Sequence, residues 1–138
     1  MRKAIPLDAV VFNAAIYPRS TQNAQTVARY AEAMASGQVF PPIVLEQDTN
    51  WLLDGWHRWQ ARRKCAAEPS LTGDFSSIAC DWHVVPAGLP AKLYAASLSA
   101  RHGDRIDRDD LKSVARETIE ANPSFSMQTV AQSLGVHR

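Results

Sequence analysis

The segment Leu52-Leu53-Asp54-Gly55-Trp56-His57-Arg58 constrains what this chain can fold into more than any other. A short apolar run ends at Asp54-Gly55, and a helix-compatible stretch, Trp59-Gln60-Ala61-Arg62-Arg63-Lys64, follows directly. Strand, glycine turn and helix start are expected in that order. The first N–H groups of a helix have no internal partner, and the helix dipole adds partial positive charge at that end. Such a turn can hold a phosphate. Gly55 permits close approach of the backbone to a ligand. His57 is a candidate donor, and the Arg58 guanidinium can grip two anionic oxygens with parallel hydrogen bonds. An Asp-Gly turn before a solvated basic helix is also ordinary surface, and the spacing alone leaves both readings open.

Around this turn the chain reads as alternating short strands and helices. Residues 3–12 are expected to be extended. Asn23 suits the N-cap of a helix in which Val27, Tyr30, Ala31 and Met34 recur at helical spacing, with Gly37 placed to stop it. Residues 39–46 are a strand candidate, with Pro41-Pro42 confined to its start or an edge. Asp48-Thr49-Asn50 makes a tight connection to the strand at Trp51–Leu53, and the helix after Gly55 runs from about His57 to Ala66. Residues 68–77, rich in Pro, Ser, Thr and Gly, form a loop, and residues 78–85 a third strand. Pro90 opens a further helix with Leu93, Tyr94, Ser97 and Leu98 on one face. A break at Arg101–Asp107 separates residues 1–100 from 101–138.

The second part is helical. An amphipathic helix over Asp107–Asn122 carries Leu111, Val114, Ala115, Thr118 and Ile119. Ser126 then caps a short helix to Leu134, followed by Gly135-Val136-His137, which reads as the first helix and turn of a helix-turn-helix. The sequence reaches Arg138 where a recognition helix is expected to start. Gln128, His137 and Arg138 are DNA-contact candidates there, as are Arg62 and Arg63 on the earlier basic helix.

Composition narrows the class. With 46% hydrophobic and 21% charged residues the chain is an ordinary globular protein. No run reaches the ~20 apolar residues of a membrane span, and the N-terminus lacks the apolar core of a secretion signal, so a cytoplasmic location is expected. Fifteen Lys and Arg against fourteen Asp and Glu leave no global charge that announces nucleic acid. Cys65 and Cys80 lack metal-ligand spacing and are expected to be buried, unpaired thiols, with no structural metal.

Phe40-Pro41-Pro42-Ile43-Val44-Leu45, followed by Leu53-Asp54-Gly55-Trp56-His57-Arg58-Trp59-Gln60-Ala61, resembles the ParB/sulfiredoxin-type N-terminal domain. Tyr17-Pro18-Arg19 resembles the Arg-containing box that precedes the first helix in that family. The His102-Gly103 segment and the helix-turn-helix start resemble the plasmid, phage and mobile-element branch of ParB-like proteins. The resemblance implies an α+β fold: a small mixed-sheet domain with flanking helices over 1–100, then a helical region over 101–138. It also implies a glycine turn that holds nucleotide phosphates, CTP or ATP with Mg, through Arg19, Gly55, His57 and Arg58. Partners so implied are a nucleotide, DNA and a second copy of the chain in a nucleotide-closed dimer.

The chain departs from the family's enzymes at informative places. Trp56 stands where sulfiredoxins carry a cysteine, and a Trp cannot supply a thiolate. The serine-kinase-like members use a Glu near the first box, whereas Asn13–Arg19 holds no carboxylate. The CTP-hydrolysing members carry a Glu-Asn pair where this chain has Ser97-Leu98-Ser99-Ala100-Arg101. The expectation is therefore a DNA-binding partition or regulatory protein, more binder than enzyme. A nucleotide hydrolase or small-molecule kinase using Asp54 is the first alternative, and an inactive remnant of the fold the second.

Overall fold

The computed structural model describes residues 2–18, 23–101 and 108–121. Contacts divide the chain into two compact units, residues 1–12 with 21–84, and residues 13–20 with 85–138. The sequence boundary after residue 100 falls elsewhere than this division, because the helix that follows residue 84 packs on the helix after it.

The first unit is a four-stranded mixed sheet in the order β1-β4-β2-β3, with two helices. Strand β1 (Arg2–Pro6) pairs antiparallel with β4 (Ser77–His83). Strand β2 (Ile43–Glu46) runs parallel to β4 and antiparallel to β3 (Leu52–Asp54). The extended segment expected over 3–12 ends earlier: a 3-10 turn occupies Leu7–Ala9, after Pro6. Val11 then rejoins the sheet, forming a bridge beside Trp51 and so covering part of the outer edge of β3. The β2–β3 hairpin turns through Asp48–Asn50. There the Glu46 carboxylate accepts from the Asp48 and Thr49 N–H groups at 2.9 and 2.8 Å and from the Thr49 hydroxyl. These bonds, the Thr49 hydroxyl above all, hold the Glu46 carboxyl below its usual range.

Helix α1 (Ala24–Ala35) begins as its sequence directs. The Asn23 side chain accepts from the N–H groups of Gln25 and Thr26, satisfying two otherwise orphaned donors. At the far end Gly37, at φ 95°, donates to Met34 O while Gln38 donates to Ala33 O, the paired closure of a Schellman motif. Helix α2 (Trp56–Ala67) lies against α1 along a seam of Ala31 and Met34 with Ala61 and Cys65. The sheet contributes Ile43, Leu45, Leu52 and Leu53, all fully buried. Each such side chain stabilises the fold by roughly 1.5–3 kcal/mol. Trp59, buried on α2, donates its indole N–H to Leu7 O at 3.1 Å and so ties the helix to the turn after β1.

In the second unit α3 (Ala91–Arg101) and α4 (Arg108–Ala121) share a small core of Leu93, Ala96 and Val114, flanked by Leu89, Leu111, Ala115 and Ile119. Lys92 and Glu117 pair across it at 2.8 Å. The apolar face expected of residues 107–122 is the face that packs. The helix-turn-helix residues of the sequence reading, with Gln128, His137 and Arg138, lie outside the described residues, as do Arg19 and His102-Gly103. No helix among the described residues is long and apolar enough to cross a membrane.

Replacing Asn23 by Ala removes both side-chain caps of α1. The expected loss is about 1 kcal/mol of unfolding free energy in urea denaturation, as for other N-caps. An unchanged midpoint would show that the cap contributes nothing.

Candidate functional site

Strand β3 stops at Asp54 because Gly55 turns the backbone into the left-handed region, at φ 106° and ψ 27°. A side chain there is excluded twice over. The positive φ is strained for any L residue, and a β-carbon would stand 2.5 Å from Ile43 Cγ2. Gly55 is the N-cap of α2, and its carbonyl accepts from the Trp59 N–H at 2.9 Å. Gly55 has no side chain with which to cap this end, and no acidic residue occupies the first turn. The helix dipole places partial positive charge at this end.

The side chains are arranged differently from the pocket anticipated in the sequence. Arg58 turns inward. Its Nη1 donates to Pro41 O and Pro42 O at 2.8 and 2.9 Å, and its Nη2 pairs with Asp54 Oδ2 at 3.1 Å. Both partners of the pair are nearly out of water, with side chains 10% and 7% exposed. A guanidinium so engaged is a structural clamp: it ties the end of β3 and the first turn of α2 to the prolines that lead into β2. Asp54, the candidate carboxylate of an enzyme, is the charge that balances it.

His57 is also turned into the protein. Its Nε2 accepts from the Asn23 N–H at 3.1 Å, which requires the Nδ1-protonated tautomer in the neutral ring. The same residue that caps α1 with its side chain thus donates its own N–H to the first turn of α2. Trp56, half-buried, meets the His57 ring edge-on at a centroid distance of 5.2 Å. His57 and Arg58 thus bond to separate partners, His57 to the Asn23 N–H and Arg58 to Asp54 and the two proline carbonyls.

The basic face of α2 is similarly resolved. Arg62 donates from Nε to Ser77 O at 2.8 Å and from Nη2 to Asp74 O at 3.0 Å, clamping the loop before β4, and lies over the Phe75 ring. Arg63 is exposed and stacks on Trp59 at 5.0 Å. Of the two residues assigned to DNA on this helix, Arg63 is exposed and Arg62 is half-buried. Burial pushes the Cys65 and Cys80 thiols up, beyond the smaller opposing pull of Arg62 and Lys64 on Cys65. Neither is an activated nucleophile. Among the described residues no three His, Cys, Asp or Glu side chains gather to hold a metal.

Sequence reasoning missed the partners that decide these roles: Pro41 O, Pro42 O and Asn23 N. Two are carbonyls, which every residue carries, and no residue type announces them. The Asp54–Arg58 spacing of four residues was the one available signal.

No family model matches the chain. It is 29% identical over 121 residues to the transcriptional regulator NovG of Streptomyces niveus, a match covering 86% of this chain and 33% of that protein. Over 119 residues it is 26% identical to a possible regulatory protein of the streptomycin biosynthesis operon of Streptomyces griseus, covering 86% and 31%. The chain spans about a third of the length of these curated relatives. Among solved structures it is similar to the C-terminally truncated chromosome-partitioning protein ParB of Caulobacter crescentus. The complex with CTP-gamma-S gives a TM-score of 0.56 at 15% identity, over 99% of this chain and 72% of that one. The complex with the centromeric parS site gives 0.63 at 13%, over 98% and 65%. A Pnob8-like ParB-N domain gives 0.62 at 11%, over 90% and 48%. The α+β fold expected from the resemblance is the fold observed.

Arg58→Met leaves Asp54 buried without a counter-charge. It is expected to cost about 3–5 kcal/mol of stability by chemical denaturation, the usual loss when one member of a buried pair is removed. Adding Asp54→Leu is expected to recover part of that loss. A loss for Arg58→Met below ~1 kcal/mol, in the range of exposed pairs, would show that the clamp is not structural. Both cysteines are expected to resist iodoacetamide in the folded protein at about pH 8 and to react on unfolding. Rapid alkylation without unfolding would contradict their burial.

Proposed function

We propose that this chain, which carries the fold of a ParB N-terminal domain, is part of a ParB-like DNA-binding protein that regulates transcription. The observation that carries this reading is the pair of regulatory relatives matched across 86% of the chain. The ParB complex with parS supports DNA as the partner. Transcriptional regulation is preferred to plasmid partition because both curated relatives are regulatory proteins. DNA would be met through phosphate contacts, with Arg63 and Lys64 as the exposed cations of α2, and sequence would be read by the helix-turn-helix expected after residue 122.

A nucleoside triphosphate is the proposed ligand of the Gly55 turn, and the ParB complex with CTP-gamma-S supports it. Because Arg58 is bound to Asp54 and two carbonyls, the partial positive charge at the start of α2 is the feature of the turn that suits phosphates. Trp56 is the adjacent ring available to shield them. Hydrolysis is not favoured: Asp54 is 5% exposed and ion-paired, out of reach as a general base. Mg would come with the nucleotide, and a nucleotide-closed homodimer is the accompanying expectation.

Selection of genomic fragments by the full-length natural protein tests the DNA reading. Enrichment of a small set of promoter sites, with affinity falling steeply as salt rises, is expected. Failure to retain any fragment at ~50 mM salt, where phosphate contacts are strong, would remove it. The ligand is tested separately by amide NMR with CTP, ATP and GTP, with and without magnesium. Shifts centred on the Trp56, His57 and Arg58 N–H groups are expected. Unmoved signals at ~1 mM nucleotide, a weak-binding threshold, would sink the nucleotide and leave the DNA reading standing.

A further inference from the structure

We infer that a cleft in the first unit, between the Gly37–Pro42 connection and the start of β4, binds a small organic carboxylate with an apolar body, its anionic head on Arg62. The cleft follows from a break in strand pairing. Strand β4 starts at Ser77, but its pairing with β2 starts only at Ile43 opposite Cys80. The two residues before Ile43 are prolines, which have no N–H to extend the ladder, and Arg58 holds both of their carbonyls. The connection therefore diverges from β4 and leaves a space of about 360 Å³. Small-molecule sites occupy roughly 300–1,000 Å³. The space is pre-formed, because Arg58 fixes one side and Arg62 fixes the other through Ser77 O.

Its chemistry selects the ligand. Met34, Phe40 and Ile78 supply apolar walls, and Val39, a β-branched apolar side chain left 91% exposed, lines the mouth. Arg58 and Arg62 are its charged residues, and no Asp or Glu lines it. The Arg58 charge is balanced by Asp54. Arg62 is half-buried and bonds two neutral carbonyls, and it forms no ion pair among the described residues. The nearby Asp74 carboxylate is instead occupied by the Ser76 N–H and hydroxyl. A guanidinium has five N–H donors, so the outer edge of Arg62 can take both oxygens of a carboxylate. The Asp74 carboxylate is near enough to feel the Arg62 charge but does not line the cleft, so one cation among apolar walls is left to suit a monoanion. A triphosphate would bring several charges and find one partner.

The test is saturation-transfer NMR on the full chain with phenylacetate, indole-3-acetate and hexanoate, each beside its primary amide. At least one acid is expected to bind, and to do so about tenfold more tightly than its amide, as befits a charge-assisted pair. Arg62→Met is expected to erase the preference for acid. Because Arg62 also clamps the loop, Ala79→Phe serves as a second variant: it leaves Arg62 in place, obstructs the cleft from β4, and is expected to abolish binding. Arg63→Met, outside the cleft, is expected to bind like the parent. Binding that is equal for acid and amide, or undiminished by Ala79→Phe, or absent for all three acids at ~10 mM would overturn the inference.

Discussion

The buried pair of Asp54 and Arg58 ties together three parts of the first unit at one point. Asp54 is the last residue of β3, Arg58 belongs to the first turn of α2, and the guanidinium reaches on to the carbonyls of Pro41 and Pro42. Those carbonyls lie just before the parallel ladder of β2, which starts at Ile43. A charged donor is a strong partner for such carbonyls. The pair itself adds little net stability over an apolar substitute, but breaking it is expensive. Its effect is therefore on position: it fixes where β2 begins, how sharply Gly55 must turn, and which way the first turn of α2 faces.

From that position follows the division of labour at the turn. The two side chains best suited to hold an anion bond to the protein itself, Arg58 to Asp54 and the residues before β2, and His57 to the start of α1. The His57 bond to the Asn23 N–H makes the starts of α1 and α2 dependent on one another. Whatever occupies the turn would act on a helix end whose geometry is shared with α1. Arg62 performs the corresponding task lower on α2, where it secures the loop into β4. A helix that looks like a basic patch in sequence is, for two of its four cations, a set of internal struts.

Much of the fold was legible. The Asn23 cap, the Gly37 stop, the Asp48–Asn50 turn, the strand into Gly55 and the apolar stripe of α4 are all settled by interactions within a few residues of chain. The extended reading of 3–12 failed after Pro6, because tertiary bonds from Trp59 to Leu7 O and between Val11 and Asn50 favour a 3-10 turn and a return to the sheet edge. The grouping of α3 with α4 was equally invisible, since Leu93 and Val114 become partners only once the chain between them has folded back.

By itself the sequence determined that a strand meets a helix across a glycine, that the N-cap has no side chain, and that Trp56 and no thiol precedes His57 and Arg58. Backbone dihedrals and side-chain chemistry at single positions are enough for those statements. Only the tertiary structure decided what His57, Arg58 and Arg62 hold. Arg58 reaches back 17 and 16 residues to its carbonyls, Arg62 forward 15 to Ser77 O, and His57 back 34 to a backbone N–H. Backbone donors and acceptors are the same at every residue, so which of them a long side chain finds is set by where packing brings the chain together.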